Sequence, residues 1–168
     1  AAHVTEICGL VNNRIAATSI EGRAALGQFD RSSQKYTLYV TCPFVHNLRR
    51  QLATEVLNVP EANVRVVAPD VGGGFGMKNF AYPEYALVLW ASGRLGCSIK
   101  WSESRSEAFI SDDQARDHLT TGSLALDSKG SILGLRVSTI ANFGAYVSGA
   151  SPMLPTLANA AAATGAYD

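Results

Sequence analysis

Val64-Arg65-Val66-Val67-Ala68-Pro69-Asp70-Val71-Gly72-Gly73-Gly74-Phe75-Gly76-Met77-Lys78 sets an apolar, β-branched run against four glycines in five positions. Each glycine loses more backbone freedom on folding than any other residue, so such density does not belong inside a helix or strand. It fits a chain that turns sharply at a strand end, or a backbone approached too closely for a Cβ. The spacing predicts the Phe75 ring at the rim of that site. A helix-like segment starts at Pro83, so the stretch reads strand, glycine turn, helix. Such a turn presents backbone N–H groups to an anion or polar cofactor. The residues expected to bind are Gly72, Gly73, Gly74, Phe75 and Gly76. Two familiar glycine motifs are excluded. The third glycine of a dinucleotide fingerprint falls on Met77, and Lys78 is followed by Asn79 instead of the Ser or Thr of a phosphate loop. A ligand-free tight turn is the competing reading, but such turns commonly need one or two glycines.

Upstream, Leu10–Ile20 and Ala24–Phe29 read as extended segments, the second ending at Asp30-Arg31-Ser32-Ser33. Tyr36–Thr41 is β-branched and aromatic and reads as a strand. Val45, Leu48, Leu52 and Val56 recur at helical spacing, with Pro43 tolerated in the first turn and Asn58 and Pro60 marking the end. Downstream, Pro83–Ala91 is apolar almost all round and predicts a buried helix closed by Ser92-Gly93. Ser98–Trp101 is a short strand. His118–Leu126 and Ser131–Ala141 form a hairpin, because Asp127-Ser128-Lys129-Gly130 has the residues of a type I turn. Leu133, Leu135 and Val137 alternate with Gly134 and Arg136, leaving one face for a core. The fold class that results is α+β, with a mixed, largely antiparallel sheet and two main helices packed on it. Residues 1–168 are expected to form a single domain.

With 14 basic and 14 acidic residues and no basic run, nucleic acid and anionic membranes are poor partners. A hydrophobic content of 47% marks a folded chain, and no apolar stretch reaches membrane-spanning length. Cys8, Cys42 and Cys97 are scattered, so neither a cluster nor a zinc site is expected, and a reducing cytoplasm fits best. The missing initiator methionine and the Gly165-Ala166-Tyr167-Asp168 ending suggest a piece of a longer chain.

In order along the chain, these pieces resemble the molybdenum-binding large subunit of the xanthine dehydrogenase, aldehyde oxidase and carbon monoxide dehydrogenase family. The likeness rests on Asn12-Asn13-Arg14, Glu21, Arg23–Gly27, His46 with Arg49, Val64–Gly76 with Lys78, Ala81-Tyr82-Pro83, Lys100-Trp101 with Arg105, Ala115-Arg116-Asp117 and Ala141–Tyr146. It covers essentially all 168 residues and places the chain at the first molybdopterin-binding segment. The resemblance implies a molybdopterin cytosine dinucleotide cofactor carrying molybdenum, and oxidation of aldehydes, N-heterocycles or carbon monoxide with water as the oxygen source. It also implies partner subunits holding [2Fe-2S] clusters and FAD. The Gly73–Gly76 backbone and Phe75 would lie against the molybdenum centre. Pro43 stands where the family usually has a ligand-orienting glutamine, and Asn79 where the xanthine-oxidising branch has a glutamate. The family's catalytic glutamate falls beyond Asp168, so no catalytic residue and no metal ligand is assigned within this chain. The isolated chain is therefore expected to fold without retaining molybdenum, and to self-associate through the face meant for the missing part. The alternative function is a truncated, non-catalytic domain that does the same in the cell.

Several side chains carry blander expectations. His46 reads as a partly buried structural histidine, and Cys42 and Cys97 as small buried hydrophobes. Glu103, Arg105 and Glu107 read as a solvated face with weak pairs, and Asp112, Asp113, Arg116 and Asp117 likewise.

Overall fold

The computed structural model describes residues 3–147, 152–163 and 165. Residues 1, 2 and 166–168, on which the expectation of unfinished ends partly rests, lie outside the described residues. In chain order the strands are β1 (His3–Asn12), β2 (Ala24–Asp30), β3 (Lys35–Val40), β4 (Val64–Val67), β5 (Ile99–Ser102), β6 (His118–Leu126) and β7 (Ile132–Ala141). The helices are α1 (Val45–Gln51), α2 (Pro83–Leu95), α3 (Arg105–Ser111) and α4 (Asn159–Ala163). This is an α+β fold whose strands divide between two sheets, one in each of two compact units. The inserted unit is Ala16–Asp113; the flanking unit joins Ala1–Ile15 to Gln114–Asp168.

In the inserted unit the sheet order is β4-β3-β2-β5, antiparallel except for the parallel β3–β4 pair that α1 bridges. Alternation sends Ala25, Leu38, Val40 and Val64 to one face, where α2 lays down Tyr85, Val88 and Leu89. At Gly27 the helix lies on the strand itself: a Cβ there would stand 2.5 Å from the Val88 carbonyl oxygen. Only glycine admits that approach.

Two helices depart from the sequence reading. α1 widens into a π-helical turn over Leu52–Leu57, which slips its inner face by one residue. Ala53 and Leu57 therefore turn toward the core, and Val56 is left 46% exposed. α2 runs through Ser92-Gly93 to Leu95 and ends on left-handed Gly96. The Ser92 hydroxyl turns back onto the Leu89 carbonyl, and Gly93 faces the Tyr36 ring, so neither breaks the helix. Its burial is one-sided, since Leu87, Trp90 and Leu95 are exposed.

In the flanking unit the order is β1-β6-β7, antiparallel throughout. The β6–β7 turn is as read: Gly130 N–H donates to the Asp127 carbonyl, and the Asp127 carboxylate accepts from Lys129 and Ser131 N–H. The first extended segment begins earlier than expected and stops at Asn12, because β1 is long enough to pair with all of β6. Register puts Ile7, Leu124, Leu135 and Val137 on one face. The core expected over that face is absent among the described residues, where Leu135 stays 50% exposed.

Candidate functional site

β4 delivers the chain into the glycine stretch, and the backbone then turns left-handed at three positions. Gly73, Phe75 and Gly76 have φ of +90°, +48° and +81°. A left-handed phenylalanine costs roughly 1–2 kcal/mol, so surrounding contacts must hold it. The Gly73 N–H bonds the Val71 carbonyl at 2.9 Å, and the Gly72 N–H bonds Glu21 Oε2 at 2.6 Å. The loop closes where Lys78 N–H donates to the Gly74 carbonyl at 3.2 Å. That leaves the N–H groups of Gly74, Phe75 and Gly76 without a partner among the described residues. Successive donors in a backbone of this kind form a concave seat for an anionic or oxygen-rich group.

Space follows the same pattern. A Cβ on Gly73 would meet the Phe75 ring at 2.6 Å, one on Gly72 would meet the Glu21 Cβ at 2.6 Å, but one on Gly76 would meet nothing within 4 Å. Gly74 has no positive φ; its constraint is the Pro43 ring, with Cγ 3.3 Å from where a Cβ would stand. The five expected residues thus share one loop, with two N–H groups used internally and three free. Phe75 is 72% exposed. The turn does not open α2 directly. A single 3₁₀ turn, Met77–Asn79, intervenes, and Tyr82 is extended, as suits a residue preceding proline.

Two buried groups hang this loop from the unit. Lys78, with its side chain fully buried, places Nζ 2.8 Å from the Glu21 Oε2 that also receives Gly72 N–H. Burial works against charge on Glu21, but Lys78 and the Gly72 N–H outweigh it and hold the carboxyl below its ordinary range. Tyr82 donates its hydroxyl hydrogen to the Met77 carbonyl and accepts the Asp113 N–H, both at 3.0 Å. Burial is the main cause that pushes the Tyr82 hydroxyl above its usual range, so it stays a donor.

Arg23, two residues from Glu21, is fully buried and carries the densest charge cluster. Its guanidinium reaches Asp112 at 2.5 Å, Glu84 at 3.0 Å and Glu103 at 3.2 Å, and lies 3.7 Å from the Tyr82 ring centroid. Burial opposes the Arg23 charge, but Asp112 and Glu84 reverse the balance and raise its pKa further. Burial raises the pKa of Glu103, which accepts the Arg23 backbone N–H and leaves Oε2 without a hydrogen bond. Glu103 and Asp112 are therefore not solvated charges, because a cation some 80–90 positions away draws both inward. Glu107 instead closes a capping box with Ser104 at the start of α3.

Other expectations are corrected too. His46 is exposed on the outer side of α1, and Cys97 is exposed beside Gly96, whereas Cys42 is buried. A cleft of about 620 Å³ lies at the opposite strand ends, lined by Gln28, Lys35, Thr37, Asn63 and Arg65 and by no glycine-loop residue. In the flanking unit Arg14, Asp117 and Asn142 meet in one knot, with Arg14 Nη2 2.9 Å from Asp117 and Asn142 Nδ2 2.8 Å from it. Sequence reasoning gave Glu21 and Lys78 no role. No local signal marked them, since Lys78 beside polar Asn79 reads as an ordinary solvated lysine. No group of three metal-ligating side chains occurs among the described residues. The donors present suit a large polar group met by backbone N–H, with room beside Gly76.

The family model described as molybdopterin cofactor-binding domain matches residues 1–168. The chain is 38% identical over 144 residues to the 6-hydroxypseudooxynicotine dehydrogenase complex subunit gamma of Paenarthrobacter nicotinovorans, covering 86% of this chain and 18% of that protein. It is 37% identical over 139 residues to the carbon monoxide dehydrogenase large chain of Hydrogenophaga pseudoflava, covering 83% and 17%. Among solved structures, reconstituted CO dehydrogenase from Oligotropha carboxidovorans superposes with a TM-score of 0.72 at 31% identity, over 82% of this chain and 17% of that one. The chain thus spans less than a fifth of the length of these relatives. By sequence along its whole length and by fold, it belongs to the molybdopterin cofactor-binding domain family of the molybdenum hydroxylases.

Proposed function

We propose that this chain is the first cofactor-holding segment of a cytoplasmic molybdenum hydroxylase that oxidises aldehydes, N-heterocycles or carbon monoxide. The observation that carries the reading is the run of three N–H groups, at Gly74, Phe75 and Gly76, unpartnered among the described residues and open to space at Gly76. Gly74–Gly76 would hold a molybdopterin cytosine dinucleotide through their N–H groups, with the exposed Phe75 ring beside it. When bound, the group supplies oxidation of the substrate with an oxygen drawn from water. Arg23 fixes the segment that carries Glu21. [2Fe-2S] and FAD subunits would accept the electrons, as relatives named subunit gamma and large chain suggest.

The test is elemental. Full-length protein should hold close to one molybdenum per chain by plasma mass spectrometry and release CMP on acid hydrolysis. Gly76→Val fills the open space and demands positive φ of a β-branched residue, so its molybdenum content should fall more than tenfold. The isolated 168 residues should hold none, because few of the groups enclosing the ligand are present. Pro43 favours a second reading, a non-catalytic domain that self-associates without molybdenum, since an apolar ring packs on Gly74 where the resemblance expects an amide. Absence of molybdenum from full-length protein selects that reading. If molybdenum is present, Pro43→Gln should raise turnover, a preorganised donor being worth about 2–4 kcal/mol.

A further inference from the structure

One carboxylate oxygen joins two distant points of the glycine loop. Glu21 Oε2 accepts the Gly72 N–H at 2.6 Å and the Lys78 ammonium at 2.8 Å, and Lys78 returns to the loop through its own N–H on the Gly74 carbonyl at 3.2 Å. The bonds close a ring, Gly72 to Glu21 to Lys78 to Gly74, and the adjoining Gly74–Gly76 stretch with its free donors is pinned at both ends. Glu21 packs hard against the loop, leaving no space at Gly72 for a side chain of any size. Lys78 is fully buried and Glu21 is its one ion-pair partner among the described residues. A fully buried ammonium is costly, and a fold needing only apolar packing would place a methionine or leucine there. The Lys78 charge finds its use in fixing a carboxylate that would otherwise swing toward water.

We infer that Glu21 and Lys78 act as a positioning clamp, setting the shape of the Gly74–Gly76 donors before any ligand arrives. The inference rests on the cofactor reading above for what the donors bind, but not for the clamp itself. Donors held in place need no reordering on binding, so loosening them weakens retention while the sheet beneath stays intact.

The experiment uses full-length protein carrying Glu21→Ala, Glu21→Gln, Lys78→Met or the double change Glu21→Gln/Lys78→Met. Amide hydrogen exchange is followed over 70–79 and over the core elements β3 and α2, and molybdenum per chain is measured alongside. Glu21→Ala should speed exchange over 70–79 at least tenfold, leave β3 and α2 within twofold, and lower molybdenum content at least fivefold. Glu21→Gln keeps an acceptor for Gly72 but strands the buried ammonium, so it should also fail. The double change restores a neutral acceptor with no stranded charge and should recover more than half of the protection and of the molybdenum lost by Glu21→Gln alone. Exchange rising in step across β3 and α2 would make the pair mere fold support and overturn the inference. So would unchanged 70–79 protection in Glu21→Ala, or a double variant no better than Glu21→Gln. If Glu21→Ala does not fold, the Glu21→Gln and double-variant comparison decides. Wild-type protein without molybdenum would sink the cofactor reading alone, with the exchange data still judging the clamp.

Discussion

The two sheets begin from the same alternating signal and end differently. In the inserted unit β3 turns Leu38 and Val40 inward and α2 closes over them, with its backbone resting on Gly27. In the flanking unit β7 turns Leu135 and Val137 to one side, and no described residue covers them. Alternation dictates which face is apolar; it says nothing about what covers that face. The covered sheet also has a buried charge cluster at its edge, around Arg23. The open sheet has a half-exposed one, around Arg14, where the side chains of Arg14 and Asp117 keep 30% and 38% of their exposure. Cover, not composition, decides how much each contact is worth.

Matched substitutions in the two units can break this contrast, read as hydrogen-exchange stability of each unit in full-length protein. The largest difference is expected between the two arginines. Arg23→Met strands the buried carboxylates of Glu103 and Asp112 and should cost the inserted unit about 3–5 kcal/mol. Arg14→Met removes a half-solvated pair and should cost the flanking unit under about 1 kcal/mol. Equal losses would mean that the flanking sheet is covered as well as the inserted one. The glycines give the next contrast. Gly27→Ala drives a methyl into the α2 backbone and should destabilise by about 1–3 kcal/mol. Gly134→Ala meets nothing within 4 Å and should stabilise by about 0.5 kcal/mol, through the smaller entropy loss of alanine. A cost at Gly134 would reveal a hidden neighbour on that sheet.

The smallest effects should be alike in both units. Asp30 is held down to about 2 by the hydroxyls of Ser33 and Ser32, and Asp127 is lowered by the N–H groups of Ser131 and Lys129. Both carboxyls titrate lower in the folded than in the unfolded chain. Their contribution is therefore present above the ordinary carboxylate range and lost as pH falls through the folded value, for Asp30 between about 4 and 2. Asp30→Asn and Asp127→Asn should each flatten the acid dependence of exchange in their own hairpin. A shift in only one would show that cover reaches even the turns.

Legibility in the sequence followed how local the cause was. The Asp127–Gly130 turn, β3 and the proline-led start of α2 are written in neighbouring residues, and the structure has them. The slipped face of α1 is not, because one extra residue in a π-helical turn leaves no mark on the spacing of Leu48, Leu52 and Val56. Glu103 and Asp112 misled for another reason: alternating charges look solvated until Arg23, far upstream, is brought against them. The glycine stretch announced a loop, and the structure has one. Which N–H groups stay free depends on Glu21 reaching Gly72 across 51 positions, and spacing does not reveal that.

The pairing of β1 with β6 has a consequence for how the chain is made. Arg14 and Asp117, which close that pairing, lie 103 positions apart. β1 leaves the ribosome before the inserted unit, carrying Val4, Ile7, Leu10 and Val11, and the whole inserted unit is translated before its partner emerges. At about 5–20 residues per second, an apolar strand with open edges waits on the order of 5–20 s. The inserted unit can complete its own sheet meanwhile, so the early strand is where a nascent chain is most open to capture by a chaperone, or by another copy of itself.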